Sequence, residues 1–156
     1  MQHRNVGNSE LKVSLAGLGC NNFGGRIALE ATRKVVHKAL DLGVTLFDSA
    51  DIYGNSGGSE TFLGQALGAR RKDMVLATKF GMSMADSTTV HGASREYVLS
   101  SVEGSLRRLQ TDWIDLYQVH RPDPNTPIEE TLRALEDLTS RERTVTSDAR
   151  ISLPGK

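Results

Sequence analysis

Several features that define particular protein classes are scarce or absent in this sequence of 156 residues. Cys20 is the only cysteine, which excludes an intramolecular disulfide and a metal site built from several cysteines. No apolar run approaches the ~20 residues of a membrane-spanning helix. The 19 basic residues balance the 19 acidic ones, so the formal net charge is zero and favours neither nucleic acid nor a membrane surface as partner. The N-terminal segment lacks the apolar core of a signal peptide, and a cytoplasmic location is therefore expected.

The overall amino-acid composition is typical of a soluble globular protein. Hydrophobic residues make up 38% of the sequence and charged residues 24%. A chain of this length can bury a substantial core, and it suits one domain or a part of a larger one.

Apolar segments alternate with stretches of helical periodicity along most of the chain. Residues 3–13 are typical of a β-hairpin, with turn residues at 7–9. Four apolar strands follow, and a helical pattern comes after each of them. The predicted strands cover residues 15–19, 44–47, 74–79 and 114–120. Units of roughly 30 residues in this order predict βαβ repeats and a parallel sheet.

Four polar residues stand at or just after the ends of these strands. Asp48 ends the second strand and Tyr53 lies in the loop that follows it. Lys79 ends the third strand and His120 ends the fourth. The carboxyl ends of parallel strands form one rim, and neighbouring strands lie ~4.8 Å apart. We therefore expect these side chains to converge.

The four groups suit the delivery of a proton to a carbonyl oxygen. A phenol with a pKa near ~10 is a poor acid at neutral pH, and a nearby ammonium group improves it. Lys79 can activate Tyr53 in this way, and Asp48 can hold Lys79 in place. His120 can donate a hydrogen bond to the carbonyl or share the proton. No metal cluster is evident in the sequence, so the hydride would have to come from an organic cofactor.

Other interpretations remain open for single residues. Lys79 and Asp48 could form an ordinary solvated ion pair, and His120 could be a structural histidine. Ser56 lies in a Gly-x-Ser-x-Gly pattern, residues 54–58, which is typical of serine hydrolases when the serine sits on a sharp strand-to-helix turn. Here the strand ends several residues earlier. Cys20 could line a pocket at the rim or be a packed thiol.

The sequence also resembles the aldo-keto reductases. The matching segments, in order along residues 4–139, are GLGCNNFG at 17–24, FDSADIYG at 47–54, SETFLG at 59–64, ATKFG at 77–81 and SLRRLQTDWIDLYQVH at 105–120. The resemblance implies an NADPH-dependent enzyme that reduces aldehydes or ketones to alcohols. It also implies an eight-stranded (β/α) barrel of the TIM type, closed at the bottom by the N-terminal hairpin.

The resemblance also assigns roles to residues. The catalytic tetrad of the family falls on four positions, Asp48, Tyr53, Lys79 and His120. The nicotinamide pocket of the family would draw on Gly19, Cys20, Asn21 and Asp48. Cys20 stands where threonine is commoner in the family. No metal site is implied, and the expected substrate is a small carbonyl compound.

A full barrel takes ~250 residues, whereas this sequence holds four strand–helix units. We expect residues 1–139 to be the N-terminal half of the barrel and residues 140–156 to be a poorly ordered tail that does not match the family. A truncated reductase of this kind should have little activity alone. Leu46, Val75 and Leu116 would lose the opposite wall of the barrel, and open sheet edges would favour self-association. The alternative is a catalytically silent half-barrel that acts as an interaction module.

Overall fold

A computed structural model of the chain describes residues 1–82 and 92–140. Two short strands open it, β1 (His3–Asn5) and β2 (Lys12–Ser14), which pair in antiparallel fashion. This arrangement confirms the predicted hairpin. The tail predicted at 140–156 lies outside the described residues from position 141 onward.

Four further strands form one parallel sheet. They are β3 (Gly17–Gly19), β4 (Leu46–Asp48), β5 (Val75–Phe80) and β6 (Leu116–Val119), and they lie side by side in chain order. The parallel sheet and its strand order agree with the sequence prediction, although β4 lies two residues later at its start than expected. The hairpin docks below this sheet, since the Thr45 N–H donates to Ser14 Oγ at 2.8 Å.

A helix follows each strand of the parallel sheet. The four helices are α1 (Leu29–Asp41), α2 (Tyr53–Leu67), α3 (Arg95–Leu109) and α4 (Ile128–Ser140), with a 3₁₀ helix at Gly68–Asp73. At the start of α3, Ser94 Oγ accepts a hydrogen bond from the Tyr97 N–H, as expected of a capping serine. The fold is thus four consecutive strand–helix units of the TIM-barrel type, preceded by a hairpin.

The core lies between the sheet and its helices. Phe47, Leu76 and Phe80 point from the strands into this layer and have no exposed surface. Leu63 of α2 and Val98 of α3 pack against them from the helix side, also fully buried. Each such side chain contributes about 1.5–3 kcal/mol by leaving water, so this layer fixes the positions of the strand ends.

The opposite face of the sheet carries the three apolar side chains that were expected to lose a facing wall. Leu46 and Val75 are half-buried there. Leu116 is 7% exposed. In the described part of the chain, the large apolar side chains that are well exposed lie near the hairpin and on the first and last helices: Met1, Leu15, Val35, Leu42, Ile128 and Leu132.

We predict that Gly64→Ala destabilises the fold by about 2–3 kcal/mol, because helices α2 and α3 touch at this glycine. A Cβ at position 64 would lie 2.6 Å from the Arg108 carbonyl oxygen and 2.7 Å from the Leu109 carbonyl carbon. Backbone atoms cannot move aside as a flexible side chain can. The free energy of unfolding in urea measures the effect.

Gln65→Ala is the matched control, since Gln65 is exposed on the same helix. It should change the free energy of unfolding by no more than about 0.5 kcal/mol. A Gly64→Ala variant as stable as the parent would contradict the close contact of the two helices.

Candidate active site

The four predicted catalytic residues lie at the carboxyl ends of neighbouring strands. Asp48 is the last residue of β4, Lys79 is the penultimate residue of β5, and His120 directly follows β6. Tyr53 is the first residue of α2, after the loop that leaves β4. The parallel register therefore brings these four residues to one rim.

Lys79 and Asp48 form an ion pair at this rim. Lys79 Nζ lies 2.6 Å from Asp48 Oδ1 and donates a second hydrogen bond to the Ser49 carbonyl oxygen at 2.8 Å. The Lys79 side chain is 15% exposed, whereas that of Asp48 is 45% exposed. An ion pair open to solvent on one side adds little stability, so its main effect is to fix the ammonium group.

Tyr53 lies between the ammonium and the imidazole. Lys79 Nζ is 5.2 Å from the centre of the Tyr53 ring. The His120 ring meets that of Tyr53 edge-on, with centroids 5.6 Å apart and an interplanar angle of 87°. A positive charge at this place favours negative charge that develops next to it during a reaction.

His120 is held as a neutral imidazole. Burial lowers its pKa below the ordinary value, Lys79 and Arg121 lower it further, and Asp48 opposes them. Its backbone N–H donates to the Phe80 carbonyl oxygen at 2.7 Å, which anchors the residue at the end of β6. Nδ1 is buried and has no hydrogen-bond partner among the described residues. A neutral ring can donate one hydrogen bond to a carbonyl oxygen.

The residues predicted for the cofactor pocket lie beside the rim on the β3 side. Gly19 pairs with Asp48 in the sheet, and it and Asn21 are exposed. Cys20 is fully buried, and its Sγ donates to the Leu18 carbonyl oxygen at 3.3 Å. Burial raises the pKa of the Cys20 thiol to about 12. Cys20 is thus a packed thiol, and it presents no side-chain surface to the rim.

The first turn of α2, which begins at Tyr53, departs from helical geometry and forms a loop. Four consecutive residues, Gly54 to Gly57, have positive φ angles of 69°, 61°, 63° and 107°. Asn55 and Ser56 are non-glycine residues there, and each costs about 1–2 kcal/mol in this conformation. Gly54 permits no side chain, because a Cβ would lie 2.3 Å from the Phe23 carbonyl oxygen. Ser56 lies in this left-handed segment and not on a turn directly after β4.

A buried charged cluster lies on the helix side of the rim, and sequence reasoning missed it. Glu60 has no exposed surface, and its Oε2 accepts a hydrogen bond from Arg108 Nε at 2.7 Å. Its Oε1 accepts one from Thr78 Oγ1 at 2.6 Å. Asp51 is 1% exposed, and no side chain in the described ranges donates a hydrogen bond to its carboxylate. One signal in the sequence could have indicated this cluster. Glu60 lies on the same side of α2 as the buried residues of that helix, where a charged side chain needs a partner.

Residues 1–82 and 92–140 contain no group of three or more His, Cys, Asp or Glu side chains able to hold a metal ion. None of their helices is long and apolar enough to cross a membrane.

The chain was compared with known proteins. The model of the Aldo/keto reductase family matches residues 16–141. L-glyceraldehyde 3-phosphate reductase of Escherichia coli is 41% identical over 141 residues, covering 86% of this chain and 41% of that protein. A probable voltage-gated potassium channel subunit beta of Arabidopsis thaliana is 39% identical over 139 residues, covering 86% of this chain and 42% of that one. The solved structure of an aldo-keto reductase from Bacillus halodurans, in its holo form, superposes with a TM-score of 0.84 at 40% identity, covering 97% of this chain and 50% of that one.

We predict that Asp51→Asn stabilises the protein near pH 8 and has little effect near pH 4. Burial, and then the nearby Glu60, raise the pKa of Asp51 from 3.8 to about 7, while Arg108 acts against them. The unfolded chain loses this proton near the ordinary pKa, whereas the folded protein keeps it until about pH 7. Stability is therefore lost as the pH rises through this window, by roughly 4 kcal/mol at most.

The free energy of unfolding, measured in urea at a series of pH values, checks this expectation. The variant should lose less stability than the parent between the two pH limits. Asp112→Asn is the matched control, because Asp112 is an exposed aspartate. If Asp51→Asn and the parent follow parallel stability curves, Asp51 does not carry its proton in the folded state.

Proposed function

The chain belongs to the aldo/keto reductase family, and we propose that it serves the NADPH-dependent reduction of aldehydes or ketones to alcohols. The observation that carries this proposal is the cluster at the rim. The centre of the Tyr53 ring lies 5.2 Å from the Lys79 ammonium, which is itself paired with Asp48, and the ring meets that of His120 edge-on.

Each residue of the cluster has a distinct role in this proposal. The Tyr53 hydroxyl gives its proton to the carbonyl oxygen of the substrate. Lys79 favours the negative charge left on the phenol oxygen, and Asp48 keeps Lys79 in place. His120, held neutral, donates a hydrogen bond that orients the carbonyl. Delivery of the proton as the carbon accepts hydride avoids a free alkoxide.

The rim on the β3 side fits a nicotinamide ring. The position of a Cβ on Gly19 is open space within 4 Å, and Asn21 is exposed next to it. Gly19, Asn21, Asp48 and the backbone of Cys20 would hold the ring here. When bound, the reduced cofactor supplies the hydride. The preference for NADPH over NADH is part of the proposal and rests on the family resemblance.

The substrate class remains that of a small carbonyl compound. The chain spans 41–42% of the length of the curated relatives it matches, so the activity of a whole reductase is proposed for it and not transferred. The Escherichia coli relative is named for a phosphorylated aldehyde. Arg121, exposed beside His120, is a cation that could meet an anionic group on such a substrate. We propose a cytoplasmic location, as befits a reductase of this type.

A second candidate function is that of an interaction module. The Arabidopsis thaliana relative is named as a probable voltage-gated potassium channel subunit beta, a name that describes one part of an assembly. The exposed apolar side chains of α1 and α4, Val35, Leu42, Ile128 and Leu132, favour a contact with a second copy of the chain. The hydrolase interpretation of Ser56 has no such support, and labelling of Ser56 by a fluorophosphonate would be needed to revive it.

We expect Tyr53→Phe to lower kcat for an aromatic aldehyde by about 100-fold or more, because the general acid is lost. The dissociation constant for NADPH, measured by calorimetry, should stay within about twofold, since the phenyl ring remains. Oxidation of NADPH, followed by its absorbance, measures turnover. If the chain alone is too slow to assay, residues 1–139 can be fused to the remaining half of the Bacillus halodurans reductase.

Tyr97→Phe is the control for the loss of a phenol hydroxyl elsewhere. Tyr97 is buried, and its hydroxyl donates to the Met82 carbonyl oxygen. Turnover should survive this change. Turnover by Tyr53→Phe at the parental rate would refute the role of Tyr53.

Self-association is expected to depend on the exposed apolar side chains of α4. Leu132→Glu should shift the mass measured by light scattering towards that of a monomer, since Leu132 is 38% exposed and a charge there opposes apolar contact. Gln65→Glu adds the same charge on α2, on which no large apolar side chain is well exposed among the described residues, and should leave the mass unchanged. A parent protein that is monomeric at every concentration would exclude this second function.

A further inference from the structure

The left-handed segment that follows Tyr53 is packed against the side chain of Arg108. A Cβ at Gly57 would lie 2.5 Å from Arg108 Cδ and 2.9 Å from its Nε. On the other side of the loop, a Cβ at Gly54 would lie 2.3 Å from the Phe23 carbonyl oxygen, so the backbone of Gly54 is in close contact with that segment. The loop is therefore enclosed between α3 and the segment that follows β3.

Arg108 is itself fixed by a chain of hydrogen bonds that ends beside Lys79. Its Nε donates to Oε2 of the buried Glu60 at 2.7 Å, and Oε1 of Glu60 accepts from Thr78 at 2.6 Å. Thr78 immediately precedes Lys79 in β5. A buried carboxylate that lost its cation would be strongly destabilised, so Glu60 keeps the guanidinium at this place. The same chain of contacts thus reaches both the Tyr53 loop and the strand of Lys79.

We propose that Arg108 is a positioning residue, which holds the strained loop of residues 54–57 and thereby sets Tyr53 between Lys79 and His120. Non-glycine residues keep a left-handed backbone only where the surrounding structure imposes it. Without the hydrogen bond to Glu60, the stem of residue 108 is no longer held against Gly57. The backbone of residues 54–57 can then relax, and Tyr53 at the start of the segment moves with it. The catalytic consequence rests on the proposed reductase function, whereas the conformational one does not.

Arg108→Lys tests the geometry, because lysine keeps the charge but lacks the Nε donor and the planar end that meets Glu60. Glu60→Gln is the second variant, which weakens the same link from its other end and keeps its shape. Arg107→Lys is the matched control, since Arg107 is the exposed neighbour on the same helix.

Amide hydrogen exchange gives a reading that does not require turnover. The Tyr53 N–H bonds to the Ala50 carbonyl oxygen at 3.1 Å and the Ser56 N–H to that of Ile52 at 3.2 Å. In Arg108→Lys and Glu60→Gln these two amides should exchange about tenfold faster or more, while the amide of Leu76 in β5 stays within about twofold. In Arg107→Lys none of the three should change.

The second measurement separates kcat from the affinity for the cofactor. The kcat of Arg108→Lys should fall about 10- to 100-fold, with the calorimetric dissociation constant for NADPH unchanged, because a displaced Tyr53 affects the chemical step. Unchanged loop amides in both variants would overturn the proposal. An equal acceleration of all amides would also overturn it, since Arg108 would then only stabilise the fold.

The two proposals fail in different ways. If the loop amides accelerate and kcat is unaffected, the loop is held by Arg108 but Tyr53 is not positioned by it, and the inference falls. If the parent itself shows neither turnover nor NADPH binding while the loop amides of the variants accelerate, the reductase function falls and the structural role of Arg108 stands.

Discussion

Parallel pairing of four short strands is the constraint on which the rest of this structure depends. Strand β5 pairs with β4 on one side and with β6 on the other, so the register of each pair fixes that of the next. Because all four strands run the same way, every strand ends at the same rim. Residues that are far apart in the sequence, such as Asp48 and His120, thereby share one small region. A slip of one residue in this register would turn Lys79 towards the helices, since side chains alternate between the two faces of a strand.

The rim was predictable because its signal is local. Asp48, Lys79 and His120 each end an apolar run, and a polar side chain at that place stands out in the sequence. The ends of the strands were less accurate: β4 was expected at residues 44–47 and covers Leu46–Asp48. Apolar pattern alone cannot separate residues that pair in the sheet from those that lead into it, so Val44 was assigned to the strand on hydrophobicity.

The cluster behind the rim was not predictable in the same way. Glu60, Thr78 and Arg108 belong to a helix, a strand and another helix, and each is unremarkable in its own segment. Only the packing of α2 and α3 on the sheet shows that the buried acids Asp51 and Glu60 both lie near Arg108. Burial, and then the neighbouring Glu60, account for the raised pKa of Asp51, and Arg108 opposes them. The pattern within any one of these segments does not predict that the two acids and the arginine come together.

The burial of Cys20 has a chemical consequence for its reactivity. Oxidants and alkylating agents attack the thiolate, and a thiol with a pKa of about 12 and no exposed surface supplies almost none at neutral pH. The sulfur lies under the backbone that binds Asp48, so damage to it would distort the rim directly. Because it is buried, the Cys20 sulfur does not meet oxidants in the solvent. A protein of this sequence should therefore tolerate peroxide without forming disulfide-linked pairs.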